Sequence, residues 1–225
     1  MSTKKFNLMV VAHPDDETIF YGGTLLSHRR YPWKVICATD GNADGQGAQR
    51  KKDFESACRQ LKVWKCEMWD FQDRYDQRLD LERLHAKLLE VGKPQAVFTH
   101  GILGEYGHPH HQDVCMAVHR TFKAPTPVWS VAYNSFPQKQ FRLSKKAFLT
   151  KQKVLSQIYF SQTKNFARWL PCTITEGIHQ VHRSEIEALY SYLCGGPLNE
   201  KSLKTYKGFT PYLENFRRAL EQRPF

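Results

Sequence analysis

Residues 12–17, AHPDDE, place one imidazole and three carboxyl groups directly behind the apolar run FNLMVVA (6–12). Polar groups at the end of a buried strand are costly unless they bind something. A catalytic Zn²⁺ site typically has three nitrogen, sulfur or carboxylate ligands and keeps one position for water. His13 and Asp16 are three residues apart on a turn that leads into a helix, so both side chains could point at one ion. Asp15 lies between them and could reach a water on the metal.

A second cluster, GHPHHQD (107–113), places His108, His110 and His111 where a loop opens a helix. One imidazole could complete a ligand set, and another could donate a proton or oppose a developing oxyanion during hydrolysis. The residues alone do not say which histidine takes which role. The two clusters together therefore indicate a metal-dependent hydrolytic site.

Simpler interpretations of the same residues stay open. Asp15 or Asp16 could cap the helix that follows, since carboxylates accept hydrogen bonds from helix N-termini. The histidines could be surface residues, and Cys115, close to their cluster, could be a metal ligand. Glu17 is either a first-turn acid that favours the helix dipole or a hydrogen-bond partner of a ligand histidine.

The elements that must position these residues alternate along the chain. Apolar runs predict strands, and helical spacing predicts a helix at 16–29, one from Arg50, and two more. The predicted strands are 6–12, 33–39, 65–71, 95–100 and 128–133, and the two further helices are 79–92 and 111–122. This order predicts an α/β fold, namely a single domain with a Rossmann-like, doubly wound, mostly parallel sheet and helices on both faces. The part after about residue 145 is expected to be more helical.

In such sheets ligands bind beyond the carboxyl ends of the strands. The loops HPDDE, DGNADGQG (40–47) and GEYGHPHH (104–111) all fall at that edge of the predicted sheet. The convergence of three polar loops is the main reason to expect a site there.

The net charge of +11 is concentrated in one stretch. Residues 114–175 contain ten Lys or Arg and no Asp or Glu, so the stretch 120–168 is either a solubilising face or a surface that attracts an anionic partner or substrate. No row of interleaved aromatics predicts a nucleic-acid site. No apolar segment approaches the roughly 20 residues of a membrane span, and no signal peptide is evident, so a cytoplasmic protein is expected.

The motifs AHPDDE (12–17) and GEYGHPHH (104–111), in this order, resemble the PIG-L/LmbE-like zinc-dependent de-N-acetylases, which are N-acetylglucosaminyl deacetylases. CATDGNADG (37–45) is similar to the loop after the family's second strand, and KVLSQIYFSQ (153–162) to a later Lys, Tyr and Gln pattern. A helix of the family is similar to the one that carries Arg50, with Asp53 in place of its glutamate. The resemblance covers about residues 6–165 of one 1–225 domain and leaves 166–225 as a C-terminal extension.

The resemblance implies roles for individual residues. It implies His13, Asp16 and His111 as metal ligands, with His110 as the main rival of His111. Asp15 aligns with the general base, and His108 with the proton donor and oxyanion partner. The implied substrate contacts are Arg50 for sugar hydroxyls (or, alternatively, a surface arginine), Tyr106 as a mobile residue over the substrate, and Asp73 near a family Pro-Asp loop whose proline is missing here.

The implied reaction is removal of the acetyl group from an N-acetylglucosamine-type amino sugar or conjugate, by attack of a zinc-bound water with Asp15 as base. Fe²⁺ or another divalent metal suits the same ligands. The expected partner is a small amino-sugar substrate, with a phosphate or nucleotide group if the basic stretch attracts it. The alternatives are hydrolysis of another N-acyl amide by the same zinc chemistry and, as a different class, a non-catalytic binder of anionic polymers.

Overall fold

The computed structural model describes residues 5–164 and 170–217. Arg168 of the basic stretch, and residues 165–169 and 218–225 around and within the expected C-terminal extension, lie outside the described residues. The described strands are β1 (Asn7–Val11), β2 (Trp33–Thr39), β3 (Lys65–Phe71), β4 (Ala96–Thr99), β5 (Val128–Val131), β6 (Lys139–Arg142) and β7 (Thr175–His179).

The described helices alternate with the first five strands and then follow one another. They are α1 (Asp16–Ser27), α2 (Gly47–Gln60), α3 (Leu81–Leu89), α4 (Gly104–Gly107), α5 (Pro109–Thr121), α6 (Lys145–Lys153), α7 (Phe160–Thr163), α8 (Arg183–Leu193) and α9 (Leu213–Arg217). A π-helical turn, Val154–Ile158, joins α6 to the residue before α7. Two 3₁₀ turns, Glu200–Ser202 and Lys207–Tyr212, precede α9. Among the described residues, no helix is long and apolar enough to cross a membrane.

The chain forms two compact units, and the first consists of Met1–Asp73 and Lys139–Glu176. Here β1 pairs in parallel with β2, from Asn7↔Trp33 to Val11↔Cys37, and β2 pairs in parallel with β3. Residues 8–12 are fully buried, which explains the unbroken apolar run of β1, because a strand covered on both faces needs no polar alternation. The carboxyl ends of three neighbouring strands therefore meet at one edge of this unit.

The second unit consists of Arg74–Gln138 and Gly177–Phe225. Its strand β4 pairs in parallel with β5, from Val97↔Val128 to Thr99↔Ser130, and β5 pairs antiparallel with β7. The helices α3 and α8 both pack against α5. The core of this unit includes Ile102, Leu103, Met116, Ile186 and Leu189.

The α/β fold with mostly parallel strand pairing is confirmed, and every strand and helix expected in the first 135 residues is present. The part after residue 145 is mostly helical, as expected, and two strands that the sequence did not predict, β6 and β7, lie before it and within it. The sequences KQFR and TEGIH carry no apolar run, and β7 depends on its antiparallel partner β5. The single-domain organisation stays a prediction.

Lys151 of α6 and Glu176 of β7 form a buried ion pair, and Glu176 also binds α1. Lys151 Nζ lies 2.7 Å from Glu176 Oε1, with side-chain exposures of 0% and 1%. The Glu176 carboxylate also accepts hydrogen bonds from the amides of Gly23 and Thr24, at 2.8 and 2.7 Å, and from the Thr24 hydroxyl. A Cβ on Gly22 would lie 3.1 Å from Lys151 Cγ, so this glycine lets the lysine stem pass close to α1. The pair fixes the helix that begins with Asp16.

Removing one member of this pair should be strongly destabilising. Lys151→Met leaves the Glu176 carboxylate buried without a counter-charge and should lower the free energy of unfolding by about 3–5 kcal/mol, measured by urea denaturation. The double variant K151M/E176Q should recover part of this loss. Arg183→Ala, which breaks the exposed Arg183–Glu187 pair, should cost less than about 1 kcal/mol. Equal losses for Lys151→Met and Arg183→Ala would contradict this account of the pair.

Candidate metal centre and active site

His13 and Asp16 face each other directly after β1. The His13 amide donates to Asp16 Oδ2 at 2.7 Å, and His13 Nδ1 lies 3.4 Å from the same oxygen. His13 and Asp16 are both buried, with 7% and 2% of their surfaces exposed. The three-residue spacing therefore brings one nitrogen donor and one oxygen donor together, as the sequence predicts.

Asp15, between them, has an unusual backbone. Its φ of 118° lies in a region that residues with a side chain rarely adopt, and such conformations cost about 1–3 kcal/mol and cluster at functional sites. Asp15 occupies the N-cap position of α1, yet its side chain makes no cap hydrogen bond. The interpretation of Asp15 as a helix-capping carboxylate is therefore wrong.

Glu17 holds the backbone of Asp15 in place. Glu17 is fully buried, and its Oε2 accepts the Asp15 amide hydrogen at 3.2 Å. Its Oε1 accepts hydrogen bonds from the hydroxyls of Thr18 at 2.5 Å and Tyr159 at 2.9 Å. Burial raises the pKa of Glu17 to about 7, although the hydrogen bonds from Thr18 and Tyr159 oppose the shift. Glu17 lies in the first turn of α1, as one interpretation had it, but its carboxylate binds the Asp15 amide and not a histidine.

Arg50 and Asp73 complete the cluster of the first unit. Arg50 Nη1 lies 3.4 Å from Asp73 Oδ2, and its Nη2 donates to the Pro14 carbonyl at 3.2 Å. Asp73 Oδ1 in turn lies 3.4 Å from His13 Nε2. Arg50 is only 9% exposed, so the alternative of a surface arginine is wrong. Its buried Nε has no hydrogen-bond partner within the described residues.

The charges of this cluster favour a cation. Burial lowers the pKa of His13, but the carboxylates of Asp73 and Asp16 outweigh it and raise that pKa to about 10. Burial, followed by repulsion from Asp16, raises the pKa of Asp15 well above its usual value. Carboxylates crowded out of water stabilise positive charge beside them. The imidazole and carboxylate donors of His13 and Asp16 suit a divalent metal ion.

In the second unit, Glu105 joins two histidines that lie apart in sequence. His111 Nδ1 lies 2.5 Å and His100 Nδ1 lies 3.1 Å from Glu105 Oε2, and all three residues are buried. Glu105 Oε1 accepts the amide hydrogen of Gly101 at 2.8 Å. Burial raises the pKa of Glu105, but His100 and His111 lower it to about 2, so this carboxylate is an acceptor. His111 therefore donates through Nδ1, as metal-ligating histidines commonly do, and its Nε2 is the atom suited to a metal.

The backbone of Glu105 is itself held in a rare conformation. Its φ of 57° interrupts the short α4, and its carbonyl accepts a hydrogen bond from Asn134 Nδ2. Neighbouring Gly104 and Gly107 also have positive φ, 68° and 98°, which glycine adopts without strain. This loop turns the Glu105 carboxylate towards His100 and His111.

His108 and His110 have different surroundings. His108 is the N-cap residue of α5, and its Nδ1 accepts the His110 amide hydrogen at 3.2 Å. His110 Nε2 lies 2.9 Å from the Gln77 carbonyl; since a carbonyl only accepts, that nitrogen carries the hydrogen. This bond disfavours His110 as the rival of His111. Half-exposed Tyr106 meets the rings of His111 and His108 edge-on, with centroids 5.4 and 6.1 Å apart.

Cys115 lies in the core of the second unit. It is fully buried, with Sγ 3.7 Å from His119 Nδ1, and no candidate ligand group found among the described residues contains it. Its interpretation as a metal ligand is unsupported. Of the residues proposed from sequence, the first unit gathers His13, Asp15, Asp16, Arg50 and Asp73, and the second unit gathers Tyr106, His108 and His111.

Sequence reasoning missed Glu105, His100 and Tyr159. Glu105 stands inside the GEYGHPHH motif, so an acid beside three histidines was a signal that could have been used. His100 follows a predicted strand directly, which was a weaker signal. Tyr159 lies in the KVLSQIYFSQ segment, where the pattern alone gives no indication of a bond to Glu17, 142 residues away.

Solved structures share this fold. N,N'-diacetylchitobiose deacetylase from Pyrococcus horikoshii matches with a TM-score of 0.59 and 19% identity, covering 80% of this chain and 84% of that one. GalB, the 4-carboxy-2-hydroxymuconate hydratase from Pseudomonas putida, matches with a TM-score of 0.55 and 18% identity, covering 79% and 96%. The fold is therefore found in a deacetylase and in a hydratase.

Proteins of known sequence give a more specific result. Bovine N-acetylglucosaminyl-phosphatidylinositol de-N-acetylase is 35% identical over 127 residues, 52% of this chain and 50% of the bovine protein. Protein L374 of Acanthamoeba polyphaga mimivirus is 29% identical over 177 residues, 72% of this chain and 73% of that protein. The chain thus matches about half the length of the bovine relative. The family model described as PIG-L, GlcNAc-PI de-N-acetylase, matches residues 8–122, and the chain belongs to this family.

Proposed function

We propose that this protein removes the acetyl group from an N-acetylated amino sugar or its conjugate, with a divalent cation held by His13, Asp16 and His111. The observation that carries the proposal is the conformation of Asp15. The Asp15 carboxylate is buried, its backbone is strained, and it makes no cap bond to its own helix. It therefore contributes little to folding, and a role in catalysis explains its conformation better.

The three proposed ligands have the donor chemistry of a catalytic zinc site, namely two imidazoles and one carboxylate. His13 and Asp16 lie together within a cluster of buried carboxylates. The His111 ring is oriented by Glu105, in the manner of ligand histidines whose second nitrogen donates to a carboxylate. When bound, such a cation supplies Lewis-acid polarisation of the amide carbonyl and lowers the pKa of water.

Asp15 is the proposed general base. It takes a proton from the attacking water as a C–O bond forms at the acetamide carbon. The C–N bond then breaks, the amine nitrogen receives that proton, and acetate and the free amino sugar are the products. In this assignment the Asp15 carboxylate both removes the proton from water and delivers it to the amine nitrogen.

His108 is the proposed oxyanion partner. Its Nδ1 accepts the His110 amide hydrogen, so while that bond is made the ring is neutral and donates through Nε2. A neutral Nε2–H donor stabilises a developing oxyanion. Delivery of a proton by His108 would require the ring to be charged and its cap bond to break, which favours Asp15 as the carrier.

Arg50, Asp73 and Tyr106 are the proposed substrate contacts. The Nε of Arg50 is buried without a partner among the described residues, so a sugar hydroxyl could satisfy it. The bovine relative is named for a phosphatidylinositol-linked N-acetylglucosamine, so lipid-linked amino sugars belong in any substrate panel. The basic stretch 120–168 would favour an anionic substrate of this or another kind.

Metal binding and turnover should separate in two single variants. His111→Ala should reduce the metal content of the purified protein, measured by elemental analysis, together with activity. Asp15→Asn should keep the metal but lower kcat by about 10²–10⁴-fold, measured as acetate release from N-acetylated amino sugars. Chelation should abolish acetate release, and added Zn²⁺ should restore it.

The matched control is His182→Asn, an exposed histidine whose replacement can still cap α8 and should leave metal content and rate unchanged. Full activity after thorough chelation, or a near-normal rate for Asp15→Asn, would overturn the proposal. Release of longer acyl groups but not acetate would instead favour the second candidate, hydrolysis of another N-acyl amide. Bound metal without release from any acylated compound would favour a non-catalytic binder.

The hydrogen bond from Tyr159 to Glu17 should matter for rate because it helps to hold Asp15. Tyr159→Phe should lower kcat by about tenfold to a hundredfold, with KM and metal content nearly unchanged, since small misplacement of a reacting group is costly. Glu17→Gln should be milder than Glu17→Ala, because the amide can still accept from Asp15. Tyr192→Phe, which breaks a tyrosine–glutamate bond to Glu214, is the control. Equal kinetics for Tyr159→Phe and Tyr192→Phe would show that the bond has no positioning role.

A further inference from the structure

The helical segment 145–164, which comprises α6, the π-helical turn and α7, has two different sides. One side is buried in the first unit through Ala147, Val154, Leu155 and Tyr159. The other side is exposed. Its lysines and large apolar residues, which we call the basic–apolar face, are Lys145, Lys146, Leu149, Lys153, Phe160 and Lys164.

The apolar members of this face protrude from the surface. Leu149 is 49% exposed and Phe160 is 61% exposed. They lie eleven residues apart in sequence on this segment, with Lys153 between them. A single exposed apolar residue needs no explanation. Two large ones on the same helical segment, set among lysines, are typical of surfaces that enter the boundary between water and lipid.

The charge of the face is uncompensated. The stretch 114–175 contains no acidic residue in sequence; Glu176, which follows it, is bound to buried Lys151. Within the part of the chain that the structure describes, no ion pair joins Lys145, Lys146 or Lys153 to a carboxylate. The face therefore attracts anions, because these three lysines are not neutralised by carboxylates of the described part of the protein.

A groove runs beside the same lysines. It has a volume of about 760 Å³ and is lined by Lys145, Lys146 and Lys153 from the segment and by Ser56 and Gln60 from α2. Ammonium groups with hydroxyl and amide donors are the chemistry that binds a phosphate. Leu149 also lines this groove, so its polar and apolar contacts are adjacent.

We propose that the basic–apolar face is a docking surface for an anionic phospholipid bilayer. Phosphate headgroups would contact the three groove lysines, and Leu149 and Phe160 would enter the interfacial layer. A nucleic-acid partner fits less well, because one of the two apolar residues is aliphatic and stacking needs a row of aromatic rings. The proposal is independent of the deacetylase chemistry, since it concerns binding and not turnover.

The test is sedimentation of the full chain with vesicles of phosphatidylcholine alone or with about 30 mol% phosphatidylinositol. Binding should be strong only to the anionic vesicles and should weaken as salt rises from ~0.1 to ~0.5 M. The variant K145E/K146E/K153E should bind at least about tenfold more weakly, since each lysine near such a surface contributes about 1 kcal/mol. L149S/F160S, which keeps all charges, should also reduce binding.

The matched control is K201E/K204E/K207E, which changes the charge of three exposed lysines in the second unit by the same amount. It should keep most of the vesicle binding, and all variants should retain their melting temperature. Absence of binding to anionic vesicles, or an equal loss in the control, would overturn the proposal. So would binding of a single-stranded RNA oligomer, but not of vesicles, that K145E/K146E/K153E abolishes. Acetate release from a water-soluble substrate tests the deacetylase proposal separately.

Discussion

The first unit depends on how it balances the carboxyl groups at the end of β1. Asp15, Asp16, Glu17 and Asp73 are all buried there, and charged groups removed from water are costly unless they are paired. The His13 imidazole and Arg50 pair with these carboxyl groups, and hydroxyls and amides donate hydrogen bonds to them. An arrangement that concentrates so many oxygens in one place is suited to a cation, and much of the local structure follows from holding them there.

Each unit has a buried glutamate that binds a neighbouring residue of the candidate site. In the first unit Glu17 accepts the Asp15 amide, and in the second Glu105 fixes the ring of His111. Both glutamates are themselves held, Glu17 by the Tyr159 hydroxyl and Glu105 by the Gly101 amide. Such support restricts the positions of Asp15 and His111, as the proposed catalytic site requires.

The fold alone does not indicate the reaction that a protein catalyses. A deacetylase and a hydratase share this fold with the chain, so the arrangement of strands alone does not choose a reaction. The candidate site residues that follow the strands, from His13 to His111, lie within the residues that match the PIG-L family, 8–122. The basic–apolar face, at residues 145–164, lies outside that match.

The sequence by itself determined the strands and helices of the first 135 residues and the two motifs of the site, because apolar runs and short-range spacing depend only on neighbouring residues. It also predicted the approach of His13 to Asp16, three residues away. Only the tertiary structure decided that Arg50 is buried against Asp73, that His111 and His100 share Glu105, and that Tyr159 reaches Glu17. It likewise decided that β7 exists, since that strand needs its antiparallel partner. These contacts join residues distant in sequence, and the packing of the whole chain determines which distant residues meet.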